Sequence, residues 1–170
     1  MVNIYVSKSN KAQHYEVERI FNKLAEVDYI PFELSACIDF EKLEADGYLM
    51  EDEGTYFIEI NKKLRGQALT LALIHEFVHV NQFEAGALSY DHNNELLWYG
   101  SETKHLPYFI KPHEIDAHLE ELRLYKLITK TEPKGEYFEY LRNSGSAGCN
   151  VYRSGERAGM EKLSAPRSRA

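Results

Sequence analysis

Three residues near the middle of the chain have the types and spacing to activate water on a metal ion. They are His75, Glu76 and His79, in the run His75-Glu76-Phe77-Val78-His79. Residues four apart share one face of an α-helix, so the two imidazoles can converge on a single cation. Imidazole nitrogen suits zinc in tetrahedral geometry, and a catalytic zinc keeps one position for water. Glu76 follows the first imidazole directly and can stand beside that water as a base without binding the ion. Zinc-bound water has a pKa near about 7, so one nearby carboxylate suffices to take its proton.

A third protein ligand has to come from elsewhere. Continuation into a metzincin motif needs Gly at 82 and His at 85, and this chain has Gln82 and Ala85. The remaining common solution is a glutamate on a second helix. Glu114 meets that need, in the segment Pro112-His113-Glu114-Ile115-Asp116-Ala117-His118. His113, Asp116 and His118 are the rival ligands, and His118 lies one helical turn from Glu114 on the same face. Asp116 or His118 is better read as orienting a ligand imidazole from behind. Six of the seven histidines fall between 75 and 118, so the cluster can be wider, with His92 and His105 read as loop residues.

The elements that must carry these groups are legible from periodicity. From 66 to 84, Leu69, Leu71, Leu73, Ile74, Phe77, Val78, Val80 and Phe83 cover most of a helical circumference. A helix apolar all round belongs in the middle of a domain, and Gly86 ends it. Pro112 suits the first position of a second helix running to about 128, with Glu114 in its first turn.

Upstream, Val2, Ile4 and Val6 alternate as in a strand. Ser9 or Asn10 then caps a helix to about 27, with Tyr15, Ile20, Phe21 and Leu24 as its core residues. A strand is expected over 33–40. The runs 48–50 and 55–60 flank Glu51-Asp52-Glu53-Gly54 and read as a hairpin. Tyr56, Ile58 and Ile60 share one of its faces. The polar and aromatic stretch 87–111 holds short strands or a structured loop at 96–100 and 106–110, and so long a connection is often functional. A short helix is expected near 136–142.

Composition sets the class. The chain has 170 residues, 44% of them hydrophobic, enough for one compact core. The expected division is one domain over 1–143 and a disordered basic tail over 144–170. From Arg142 onward six Lys or Arg face only Glu156 and Glu161, although the whole chain carries −7. The body is therefore acidic, which argues against nucleic-acid binding by the folded part. No apolar run approaches the roughly 18 residues needed to cross a bilayer. Cys37 and Cys149 lack metal-ligand spacing and read as free thiols of a reducing, intracellular compartment.

The runs Phe57-Ile58-Glu59-Ile60-Asn61 and Leu73-Ile74-His75-Glu76-Phe77-Val78-His79-Val80-Asn81-Gln82, followed by Glu114-Ile115-Asp116-Ala117, resemble a minimal gluzincin-type zinc metallopeptidase. Trp98-Tyr99-Gly100, Pro107-Tyr108 and Pro112-His113-Glu114 are similar to elements of small metallopeptidases encoded in bacteriophage and bacterial genomes. The likeness covers about 48–128.

The resemblance implies an α+β, zincin-like fold: a small twisted sheet on the HExxH helix, with a second helix bringing a glutamate. It implies Zn2+ held by His75, His79 and Glu114, with Glu76 as base and proton donor in peptide-bond hydrolysis. Tyr108 is the first choice for stabilising the oxyanion, with His113 or His118 second. The strand 55–60 becomes the sheet edge to which an extended peptide adds. The expected partner is a protein or peptide substrate, in a bacterial or phage-infected cytoplasm.

Two other readings stand beside this one. A non-catalytic zinc-binding interaction protein would close the site with a fourth ligand, His113 or His118. A regulatory protease acting on DNA-bound proteins would use the basic tail as its anchor.

Overall fold

The computed structural model describes residues 2–31 and 33–135. The chain divides into residues 1–133 and 134–170. The helix expected at 136–142, Cys149 and the tail 144–170 lie outside the described residues.

The elements follow in the order β1 (Val2–Ser7), α1 (Lys11–Glu26), β2 (Leu34–Glu41), β3 (Gly47–Asp52), β4 (Thr55–Asn61), α2 (Gly66–Glu84), β5 (Leu88–Tyr90), β6 (Leu96–Trp98), β7 (Ser101–Glu102) and α3 (Pro112–Thr129). This is an α+β architecture with a mixed four-stranded sheet in the order β1-β2-β4-β3. β1, β2 and β4 run parallel, and β3 is antiparallel to β4. A second, antiparallel sheet joins β5, β6 and β7.

Local chemistry explains the boundaries. The side chain of Asn10 accepts from the backbone N–H groups of Ala12 and Gln13, and the Gln13 side chain accepts from the Asn10 N–H. That reciprocal pair is the capping box which starts α1. The β3–β4 hairpin turns on Glu53 and Gly54, both at positive φ (47° and 78°), which matches the twist of the flanking strands. α2 ends where Gly86 takes a φ of 70°: its N–H bonds the Phe83 carbonyl and the Ala87 N–H bonds the Gln82 carbonyl. These two bonds form a Schellman motif that satisfies the last carbonyls of the helix.

The main core lies on one face of the four-stranded sheet, where Leu34, Ala36, Ile38, Phe40, Tyr56, Ile58 and Ile60 are all buried. α2 packs against β3 and β4, and α1 and α3 pack against α2. Every residue of α2 from Leu69 to Val80 is buried, so the helix runs through the centre of the domain. So deep in the domain the polar groups of His75, Glu76 and His79 lose most of their contact with water, and each needs a partner.

Two sequence expectations need correction. β4 is not an edge: it lies between β2 and β3, and among the described residues the edge strand beside α2 is β3. The hairpin folds back on the outer side of β4, and this decides the order. Tyr15 is not a core residue of α1 but is 65% exposed; the buried positions are Gln13, Val17, Ile20 and Leu24. At 106–110, where the sequence allows a short strand or a structured loop, the chain takes the loop. Tyr108, Phe109 and Ile110 make one 3-10 turn, which ends as Pro112 starts α3. No helix among the described residues is long and apolar enough to cross a membrane.

Candidate metal centre

α2 and α3 face each other with the predicted ligands between them. His75 Nε2 lies 3.0 Å from His79 Nε2. Glu114 Oε2 lies 3.4 Å from His75 Nε2 and 3.6 Å from His79 Nε2. Three donor atoms from three side chains therefore form a nearly equilateral triangle. A tetrahedral zinc with bonds of about 2.0–2.1 Å spaces its ligand atoms about 3.3 Å apart. The circle through the three atoms has a radius of about 1.9 Å, just inside that bond length. An ion could thus sit slightly off the triangle's plane and bond all three.

The outward sides of both rings are occupied. His75 Nδ1 donates to Glu121 Oε2 at 3.2 Å, and His79 Nδ1 donates to Gln82 Oε1 at 2.7 Å. Each bond directs the remaining Nε2 lone pair inward, towards the other ring and Glu114. The orientation of the Gln82 amide is fixed in turn. Its Nε2 donates to the His113 carbonyl at 3.1 Å and to Asp116 Oδ2 at 2.8 Å, which ties α2 to α3. Glu121 Oε2 also accepts from His118 Nδ1 at 3.0 Å. Glu114, His118 and Glu121 recur at spacings of four and three residues and share one face of α3, beside the fully buried Ala117.

Glu114 Oε2 is buried and makes no hydrogen bond among the described residues. Its contacts with the two imidazoles are longer than hydrogen bonds of good geometry. A buried carboxylate oxygen aimed at two imidazole nitrogens is an arrangement a cation completes, and the donor set of two imidazoles and one carboxylate suits zinc. The residues therefore fit the ion.

Electrostatics agree. Burial disfavours the His75 imidazolium, yet the Glu114 and Glu121 carboxylates outweigh that and raise its pKa to about 10. Burial also opposes ionisation of Glu114, but His113, His75 and His79 hold its carboxyl well below the usual range. Glu121 is lowered in the same way by His118 and His75. Without metal the cluster holds a proton where a cation would fit. A second, overlapping set exists: His75, Glu114 and His118 offer ligand atoms all within 4.8 Å of one another and could also hold an ion.

Glu76 is buried next to both imidazoles and takes no part in the triangle. Burial raises its pKa, and the charges of His79 and His75 only partly oppose this. A cavity of about 210 Å3 opens here. His75, Glu76, His79, Glu114, His113 and Tyr108 all line it, beside Gly47, Tyr48 and Leu49 of β3. Its apolar wall comes from Phe83, Leu88, Tyr90 and Leu96, carried by the end of α2 and the second sheet.

The structure thus brings together His75, His79, Glu114, Glu76 and Tyr108, the last 47% exposed at the cavity. His113 is buried, with Nε2 at 3.5 Å from Glu114 Oε1. His92 lies in the β5–β6 turn with its side chain 87% exposed, and His105 is also absent from the lining. Sequence reasoning missed Glu121 and Gln82 as the groups behind the imidazoles and assigned that role to Asp116 or His118. Asp116 acts one step further out, through Gln82, and His118 shares Glu121 with His75. The available signal for Glu121 was its place seven residues, two helical turns, after Glu114. No family model, curated protein or solved structure matches the chain.

Proposed function

We propose that this protein is a zinc-dependent endopeptidase of the gluzincin type. One observation carries the reading: His75 Nε2, His79 Nε2 and Glu114 Oε2 lie 3.0–3.6 Å apart around one point, with Glu76 alongside in the same cavity. A mixed sheet followed by the HExxH helix and a second helix carrying the glutamate supports the zincin-like assignment. His75, His79 and Glu114 would hold the zinc, which when bound would supply Lewis-acid chemistry for a scissile carbonyl and for the attacking water.

The chain's own residues supply the rest. Glu76 takes the proton of the attacking water and returns it to the departing amine. Tyr108, on the cavity wall, offers a hydroxyl to the carbonyl oxygen as negative charge develops there. The edge of β3 pairs with the substrate backbone, which lays an extended peptide along Gly47, Tyr48 and Leu49. Phe83, Leu88, Tyr90 and Leu96 receive an apolar side chain of that peptide.

The test is metal analysis together with proteome-wide cleavage mapping. Wild type binds one zinc and cleaves; His75→Ala loses the metal; Glu76→Gln keeps the metal and loses cleavage. Cleavage retained by Glu76→Gln would remove Glu76 from its role. A second reading, a closed non-catalytic zinc site, is favoured by the position of His118 near His75 and Glu114. It requires four protein ligands and no exchangeable water, which absorption spectra of the cobalt-substituted protein distinguish.

A further inference from the structure

A β-carbon built on Gly47 would lie 2.4 Å from Glu76 Oε1, 3.0 Å from its Cδ and 3.1 Å from its Cγ. No real β-carbon sits that close, so the outer part of the Glu76 side chain occupies the space a residue at 47 would need. Backbone conformation does not explain the glycine. Gly54, Gly66, Gly86 and Gly100 all have positive φ and open space where a β-carbon would go, whereas Gly47 lacks the positive φ and has the contact. The demand at 47 is for room.

The backbone there has little freedom to withdraw. Gly47 pairs with Ile60 across the hairpin, and the Asn61 N–H bonds the Asp46 carbonyl at 2.9 Å. The buried Asn61 side chain donates through Nδ2 to the carbonyls of Leu43 and Ala45, each at 3.0 Å. Asn61 thus ties the segment leading into β3 to the end of β4.

We propose that Gly47 is a positioning residue: its bare backbone, anchored through Asn61, is the wall against which the Glu76 carboxylate is held beside the metal ligands. The proposal rests on the reading of Glu76 as general base. Adding a methyl at 47 moves the carboxylate, because the end of a glutamate yields more easily than a paired strand. The ligand triangle, built from α2 and α3, stays in place.

The test compares Gly47→Ala, Glu76→Asp and the double variant as full-length proteins. Gly47→Ala binds one zinc with a Kd within about threefold of wild type. Its kcat falls about a hundredfold with little change in KM, the scale expected when a reacting group is misplaced by about 1 Å. Its cobalt form shows a shifted visible absorption spectrum. Glu76→Asp, one methylene shorter, is slow alone but restores part of the lost rate when added to Gly47→Ala. Additive losses, or full kcat in Gly47→Ala, overturn the proposal.

A metal-free measurement tests the contact itself. Gly47→Ala lowers the thermal midpoint by a few degrees, and that loss disappears in a Glu76→Ala background. An equal loss in both backgrounds also overturns the proposal. Wild type that binds no zinc and cleaves nothing sinks the hydrolase reading instead, and the thermal comparison still decides whether Gly47 holds Glu76.

Discussion

Glu121 touches none of the reacting atoms proposed here, yet its loss should weaken the metal site measurably. Its Oε2 accepts the Nδ1–H of His75 at 3.2 Å, and both groups are buried. A buried hydrogen bond to a charged acceptor contributes about 1.5–3 kcal/mol, and a neutral one about 0.5–1.5 kcal/mol. Glu121→Gln keeps an oxygen acceptor and loses the charge, a difference of about 1–1.5 kcal/mol. Since about 1.4 kcal/mol is a factor of ten, zinc affinity falls about tenfold. Glu121→Ala loses the bond altogether and falls about ten- to a hundredfold, the usual range for partners of a ligand imidazole. His118→Ala, which removes only the other donor to the same oxygen, has a smaller effect. The assay is competition between metal-stripped protein and a chromophoric zinc chelator, with circular dichroism to establish that each variant is folded. If both Glu121 variants bind zinc within twofold of wild type, Glu121 does not orient a ligand, and the argument for inward-facing Nε2 atoms fails at His75.

Two other outcomes are expected. In the metal-free protein His75 has its pKa raised to about 10 and so carries a proton at neutral pH, and zinc requires the neutral ring. Zinc binding at pH 7.5 therefore releases about one proton, and affinity rises about tenfold per pH unit through the neutral range; calorimetry in buffers of different ionisation enthalpy measures the proton, and a Kd independent of pH between 6 and 8 contradicts the assignment. Gln82→Met leaves the buried His79 Nδ1–H without its acceptor and removes both donors to α3. It costs about 1–3 kcal/mol of stability and lowers zinc affinity, as chemical denaturation and the chelator competition will show; wild-type stability would mean that the α2–α3 tie is not made through this amide.

How much of this was legible beforehand depends on how far apart in the chain the interacting groups lie. α2 was readable from end to end because its apolar residues recur around the whole helix and Gly86 supplies the stop. The β3–β4 hairpin was readable from Glu53-Gly54 and the alternation of Tyr56, Ile58 and Ile60. The place of β4 in the sheet was not, since the alternation on a strand is the same at an edge as in the interior when one face is covered. Tyr15 was misjudged because the exposed face of α1 carries an aromatic group that periodicity alone assigns inward.

That His75 and His79 stand together on one helix, with Glu76 beside them, was legible from sequence alone, because one helical turn brings residues four apart together whatever the rest of the fold does. Glu114 was reachable only as a candidate among His113, Asp116 and His118, which occupy neighbouring positions on the same helix. Tertiary structure brought Glu114 Oε2 to 3.4 and 3.6 Å from the two Nε2 atoms and kept His118 within reach of His75 and Glu114. It alone placed Glu121 behind His75 and Gly47 against Glu76, whereas Gln82 lies three residues after His79 on the same helix, within reach of local spacing. The Gly47–Glu76 and His75–Glu121 pairings span 29 and 46 residues. Contacts at such separations depend on the packing of whole elements, and local spacing carries no record of them.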